Sequence, residues 1–288
     1  MAMKKLLKAP YVLYLKLFSS VLFLLFKLME TLPRGRRIST LFLEKVWART
    51  EKVRTSQKPI FFASPDWLSK YRADSFYEKE PETIAFLNAL AKDSILWDVG
   101  ANIGIYSIYA GKVPGARVFS FEPSMMNLEL LFRNIQRNNL GNRVTIVPIA
   151  LSNENSVLDL YMSRDDLHWA GAHNSIGQNI AQDGRKMHEP KISSQLSATG
   201  ANLISNFALP TPTHLKIDVD GLESLVIQGL DNYVENIQFI LVEVDSKNLI
   251  EDSKISSLLT SKGFLRIKEF SGYEFDENQM WKNSRVSE

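Results

Sequence analysis

Hydrophobic and polar positions follow two regimes along this chain. In residues 1–37, Lys4, Lys5 and Lys8 precede an apolar stretch over residues 9–26, which is broken by Lys16, Ser19 and Ser20. Lys27, Arg34, Arg36 and Arg37 follow it. From residue 94 onward, short apolar runs alternate with stretches of helical period. The runs are residues 95–99, 117–121, 144–150, 215–219 and 239–244, and the helical stretches include 126–138 and 222–230. This alternation predicts a mostly parallel sheet with helices on both faces, binding its ligand at the carboxyl ends of the strands. Between the regimes, residues 38–92 read as mixed helix and loop. There, Ile84, Leu87, Leu90 and Ala91 stand at helical spacing after Glu80-Pro81. Residues 163–212 are rich in polar and small side chains and are too long for a simple connection, so irregular structure over the site is expected.

Three readings compete for the N-terminal segment. A signal peptide needs a small-residue cleavage site after its apolar core, and residues 27–37 are basic and offer none. A span needs about 20 predominantly apolar residues, and Lys16 interrupts the run here. At 100° per residue Lys5, Lys16, Ser20, Lys27 and Glu30 fall on one side, while leucines, phenylalanines and tyrosines cover the rest. A wide apolar face with a lysine stripe suits a helix lying in the membrane interface, its lysines reaching the head groups. The segment is therefore expected to hold the protein on the inner face of a membrane, in the cytoplasm. A helix packed on a protein surface and an uncleaved anchor are the alternatives.

Composition narrows the chemistry. The 288 residues suggest one large domain or a domain with a small extension, and a hydrophobic content of 45% supports a sizeable core. Basic and acidic residues nearly balance, 34 against 32, which argues against a nucleic-acid partner. There is no cysteine, so disulfides, thiolate metal sites and cysteine nucleophiles are excluded.

The candidate chemistry begins at Ile95-Leu96-Trp97-Asp98-Val99-Gly100-Ala101-Asn102-Ile103-Gly104, an apolar strand running into a glycine turn and then a helix-like stretch. Gly100 permits a tight turn and close approach of a ligand, and Gly104 close helix packing. Asp98 can accept a hydrogen bond from a ligand ammonium, directly or through water. Glu122 follows the second run, 24 positions after Asp98, where an acid can bind vicinal ribose hydroxyls. A nicotinamide dinucleotide is disfavoured. Its fingerprint needs a middle glycine, where this chain has Asn102, and Asp98 would face the pyrophosphate. S-adenosylmethionine carries sulfonium and ammonium charges, which an acidic turn suits better. A third element, Leu215-Lys216-Ile217-Asp218-Val219-Asp220-Gly221-Leu222-Glu223, ends a buried strand in two acids and is expected beside the first strand.

Residues 98–107, Phe121-Glu122-Pro123, Asn134, Asn138, Ala150-Leu151-Ser152, 215–223 and Ile240-Leu241-Val242-Glu243-Val244 together resemble the FkbM family of methyltransferases, over roughly residues 80–280. The resemblance implies a class I, Rossmann-like fold with a mostly parallel seven-stranded sheet. It also implies S-adenosylmethionine as cofactor, bound by Asp98, Gly100, Ala101, Asn102, Gly104, Glu122 and Ala150. The chain then divides into an amphipathic helix (1–40), a helical and loop cap (41–93) and a methyltransferase domain (94–288). Two positions depart from the family pattern: Asp220 stands where a glutamate is usual, and Leu196-Ser197 lacks an acid often found before the fourth strand.

The expected reaction is methyl transfer to a hydroxyl of a glycan, glycolipid or lipid-linked acceptor, which needs a base to remove the proton. Asp218 is the first candidate, as base or acceptor-orienting group. Asp220 is the second, although it can instead cap the next helix in a pair with Glu223. His173, with His168, lies in the loop expected over the site, whereas His188 and His214 read as structural, and Lys216 is expected to pair with an acid. Asp218, Asp220 and Glu223 suit Mg²⁺ chemically, but nothing in their spacing demands a metal. The competing functions are a non-catalytic adaptor that binds the cofactor at a membrane and a nicotinamide oxidoreductase.

Overall fold

A computed structural model describes residues 2–163, 169–172, 174–181, 183, 185–275 and 277–286, with side chains from residue 13 onward. Two compact units result, Met1–Arg49 and Thr50–Glu288. Residues 50–93 fall in the unit that carries the sheet.

The first unit is a helical hairpin of α1 (Ala2–Glu30) and α2 (Gly35–Trp47). A Cβ at Gly35 would stand 2.0 Å from the Met29 carbonyl oxygen, so glycine lets the chain double back this tightly. Phe26 and Phe42 meet across the hairpin at 5.8 Å between ring centroids. Sixteen large apolar side chains between Leu13 and Leu43 are nevertheless exposed, Phe18, Phe23, Leu24 and Phe42 among them. Among the described residues, no helix is long and apolar enough to cross a membrane.

The second unit opens with an antiparallel pair, β1 (Thr50–Val53) and β2 (Ile60–Ala63), followed by α3 (Trp67–Asp74) and α4 (Pro81–Asn88). The sheet-forming part then runs β3 (Ile95–Val99), α5 (Ile105–Lys112), β4 (Arg117–Phe121), α6 (Met125–Asn138) and β5 (Val144–Val147). An excursion follows through β6 (Ala150–Ser152), β7 (Ser156–Met162), β8 (Asn174–Ile176), β9 (Lys191–Thr199) and α7 (Gly200–Phe207). The chain returns as β10 (His214–Ile217), α8 (Glu223–Gly229), β11 (Phe239–Glu243), α9 (Leu249–Ser261) and β12 (Phe264–Ile267). It ends in the short pair β13 (Glu269–Phe270) and β14 (Tyr273–Glu274), and then β15 (Asn278–Asn283).

The central sheet has seven strands in the order β12-β15-β11-β10-β3-β4-β5. β15 runs antiparallel to both neighbours, while β11, β10, β3, β4 and β5 are parallel. β3 and β10 are buried on both faces, β3 as a mainly apolar run and β10 with the polar His214 and Lys216 alternating with Leu215 and Ile217. As expected from the sequence, they are neighbours, and the chain order reverses between them. That reversal opens a crevice at the strands' carboxyl ends.

Three readings of the chain need correction. The run 144–150 is two strands, because Pro148, which has no N–H to donate, separates β5 in the central sheet from β6 in another. Residues 163–212 are not irregular throughout: β8 and β9 join β6 and β7 in a four-stranded sheet. Residues 38–92 include the β1–β2 pair. Asn134 and Asn138, one turn apart on α6, hold that pair in place. Their side-chain oxygens accept from the amides of Ala63 at 2.7 Å and Phe61 at 2.9 Å. Their amide groups donate to the carbonyls of Ile103 and Phe61, at 2.8 and 2.7 Å.

Candidate active site

β3 ends at Val99 and the chain turns through residues 100–104 into α5. Gly100 has φ +81°, and a Cβ there would stand 1.8 Å from the carbonyl oxygen of Asp218. The turn therefore lies directly on the end of β10. A Cβ at Gly104 would meet Leu131 Cδ1 at 2.3 Å, so this glycine lets α5 and α6 pack, and it does not line the cavity. Every amide of the turn is engaged. Those of Gly100 and Ala101 both donate to the Phe121 carbonyl at 3.0 Å, and that of Gly104 to Ala101 at 2.8 Å. The Asn102 amide donates to Glu122 Oε2 at 2.8 Å, and the Ile103 amide to Asn102 Oδ1 at 2.9 Å.

Glu122 follows β4 and is buried. Its Oε1 accepts the Ser124 amide at 2.8 Å. Burial pushes its pKa up to about 7, against the pull of the two amide bonds. Asp98 does not stand on the cavity wall. It lies behind it, 1% exposed, with Oδ2 accepting from Ser107 Oγ at 2.5 Å and Oδ1 3.9 Å from Lys216 Nζ. Its burial instead places a carboxylate under the floor of the site. Lys216, on β10 and also buried, reaches Asp218 Oδ2 at 3.1 Å, the pairing expected from the sequence. Burial alone would discharge this ammonium, but Asp218 and Asp98 outweigh it and hold it charged.

Asp218 shares a hydrogen bond with Glu243, a residue to which the sequence reading assigned no role. Burial works against ionisation of Asp218, but Lys216 and the bond to Glu243 prevail, and its carboxyl lies well below the usual range. The charge on Asp218, together with burial, pushes Glu243 up to about 9. The pair therefore shares one proton at neutral pH.

Asp220 does not cap α8. The N-cap is Leu222, without a side-chain bond, and Asp220 sits at φ 56° with Oδ2 accepting the Asn174 amide at 2.9 Å. Glu223 turns to the Gly221 amide at 2.8 Å. The expected pair of capping bonds between Asp220 and Glu223 is thus replaced by two separate ones. Among the described residues, no group of three or more acids or histidines converges as a cation site.

These elements enclose a cavity of about 370 Å³. Gly100, Asn102, Glu122, Ala150, Asp218, Asp220 and Glu243 line it, while Ala101 stands on a smaller adjoining recess. Leu68, Tyr71, Arg72 and Lys79 close the cavity from α3 and the loop after it, and no motif in the sequence marked them. Part of the excursion covers it. Asn102 and Asn127 donate to the Gly171 carbonyl at 2.7 and 3.1 Å, and Arg72 Nε donates to Ala170 at 2.8 Å. His168 and His173 lie outside the described residues. Of the other two histidines, His214 is buried and packs between Phe86 and Phe239, with burial lowering its pKa to about 4. Ser197 donates to the Glu154 carbonyl at 3.2 Å, a structural bond on β9.

A doubly wound sheet in this strand order, with an acid after its second strand and further acids at the switch point, defines a class I, Rossmann-like methyltransferase. Residues 98–266 match the family described as the Methyltransferase FkbM domain, and the chain belongs to that family. Among similar proteins is the hexuronic acid methyltransferase AglP of Haloferax volcanii, 26% identical over 186 residues, covering 60% of this chain and 68% of AglP. Methyltransferase 1 of Beauveria bassiana is 30% identical over 185 residues, covering 60% and 72%. A solved precorrin-6y C5,15-methyltransferase from Geobacter metallireducens superposes at a TM-score of 0.40, with 16% identity, over 73% of this chain and 89% of that one.

Proposed function

We propose that this methyltransferase uses S-adenosylmethionine to methylate a hydroxyl of a glycan, glycolipid or other lipid-linked acceptor. The observation that carries the cofactor is the engagement of every amide in the glycine turn. A pyrophosphate is bound by amides of the glycine turn and of the helix N-terminus it leads into, and those of residues 100–104 are already engaged here. S-adenosylmethionine has no phosphate, and its sulfonium and ammonium charges suit a cavity lined by Glu122, Asp218, Asp220 and Glu243. The Glu122 carboxylate has about four lone-pair sites. Backbone amides take two of them and the Asn127 side chain bonds the same carboxylate, which leaves acceptor capacity for a ribose hydroxyl.

When bound, the cofactor supplies an electrophilic methyl group on a positively charged sulfur. The chain's own residues align the reactants, exclude water and receive the proton. Alignment within a closed cavity supplies much of the rate of such transfers. Asp220 positions the cover through Asn174. The Asp218–Glu243 pair is the group we assign to the hydroxyl proton. A hexuronic acid methyltransferase among the relatives supports a sugar-type acceptor.

We place the reaction on the cytoplasmic face of a membrane. The support is the first unit, with its sixteen exposed apolar side chains and its ten basic residues against two acidic ones. Such a surface gains by burying apolar area in a lipid interface and by attraction to anionic head groups. Incubation of the protein and methyl-labelled cofactor with glycan and lipid extracts tests the function. The expected product carries the label as an ether methyl group, and absence of label from every extract would overturn the proposal.

A further inference from the structure

Two carboxyls leave the central sheet side by side. β10 and β11 are parallel, with Ile217 opposite Val242, so the next residue of each, Asp218 and Glu243, emerges at the same level, and both line the cavity. The charged and titratable groups around them come from several elements, and α3 adds Tyr71 and Arg72, which line the same cavity. β10 contributes Lys216 and β3 contributes Asp98. The segment before α4 gives Lys79 and Glu80, α5 gives Tyr106, and Asp220 follows β10. Among the described residues, Lys216 and Lys79 are each divided among acids, while Arg72, which also lines the cavity, donates to the Ala170 carbonyl. Lys216 lies between Asp98 and Asp218, and Lys79 holds Glu80 at 2.6 Å. Two carboxyls so placed keep one proton between them. A positive charge delivered into the same cavity removes the reason for keeping it.

We infer, resting on the S-adenosylmethionine reading above, that the Asp218–Glu243 pair is a proton acceptor switched by the cofactor's charge. The pair releases its proton to solvent when the sulfonium enters and takes the acceptor's hydroxyl proton as that charge is lost. A full positive charge at about 6 Å, in a medium of effective dielectric about 20, changes a carboxyl's proton affinity by roughly a hundredfold. Glu243 is held at about 9 in the protein as it stands, so a change of that size brings it down to about neutral pH. In the transfer, the bond from the hydroxyl oxygen to the methyl carbon forms and the carbon–sulfur bond breaks. The electron pair of the broken bond stays on sulfur, which becomes a neutral thioether, and the hydroxyl proton passes to the pair. The summed charge of the pair and the sulfur is the same before loading, after loading and after transfer. No step separates new charge in a buried site.

Titration calorimetry of the full chain at about pH 8, in buffers of different ionisation enthalpy, counts the protons released on binding. S-adenosylmethionine should release up to about one proton more than S-adenosylhomocysteine, which has the same ribose and amino acid but no sulfonium. Glu122 meets the ribose in both ligands and so cancels from the difference. Glu243→Gln, which keeps a hydrogen bond to Asp218 but cannot titrate, should bind both ligands with no difference in proton count. Equal counts in the wild type would overturn the inference while leaving the cofactor assignment intact, as would an undiminished difference in Glu243→Gln. Absence of binding by either ligand would overturn both.

Discussion

Glu122 and Glu223 are buried carboxyls of different kinds. Glu122 lines the cavity with both oxygens on backbone amides, whereas Glu223 has one oxygen on the Gly221 amide and the other buried without a partner among the described residues. Burial pushes Glu223 up to about 8, so the folded protein holds it protonated at neutral pH. The sign of the linkage follows. Below about pH 4.5 both states carry the proton and its stabilising contribution is complete. As pH rises to about 8 the folded state binds more protons than the unfolded one, and stability falls by up to about 1.4 kcal/mol per pH unit. Glu223→Gln should remove this fall, so its advantage over the wild type grows from about pH 5 to about pH 8 in denaturant titrations. A difference that stays constant with pH would contradict the assignment. The sequence revealed single acids at this scale better than their partners. Glu122 and Asp218 each follow an apolar run that leads to the site. Glu243 does too, but its pairing with Asp218 depends on parallel register between strands more than twenty residues apart. Asp98 read as a ligand group because it ends an apolar strand, and only the packing of Ser107 and Lys216 around it shows that it lies behind the wall.

Among the elements, the glycine turn has the least latitude. Gly100→Ala would hold an L residue at φ +81° and push a Cβ against the backbone of Asp218. Left-handed backbone and an unrelieved clash together should cost roughly 3 kcal/mol or more, by the usual scale of each. Denaturant unfolding of this variant measures the loss, and stability within about 0.5 kcal/mol of the wild type would show that the turn is not so confined. The central strands were legible because burial on both faces leaves mainly apolar runs bounded by turn residues. The β1–β2 pair was not, since its order depends on Asn134 and Asn138, some seventy residues later in the chain. The four-stranded sheet was hidden for a related reason: β9 is largely exposed or half-buried, and five of its nine residues are serine, threonine or glutamine, so it resembles loop in composition.

The whole molecule is electrically lopsided. Residues 1–49 hold ten basic residues and two acidic ones, so the rest of the chain has six more acids than bases despite the overall charge of +2. Removal of residues 1–37 should release the protein from vesicles containing anionic lipid and leave cofactor affinity nearly unchanged. Equal sedimentation of the two forms with those vesicles would contradict membrane docking by the first unit. The site itself lies in the second unit, and its central claim is that a turn without open amides, facing an acid-lined cavity, selects S-adenosylmethionine. Calorimetric titration of the full chain with S-adenosylmethionine and with NAD tests this most directly, alongside Glu122→Ala. The account predicts binding of S-adenosylmethionine, weakened about tenfold or more in the variant as a buried charged hydrogen-bond partner is lost, and no heat from NAD. Binding of NAD, or the same S-adenosylmethionine affinity without Glu122, would contradict it.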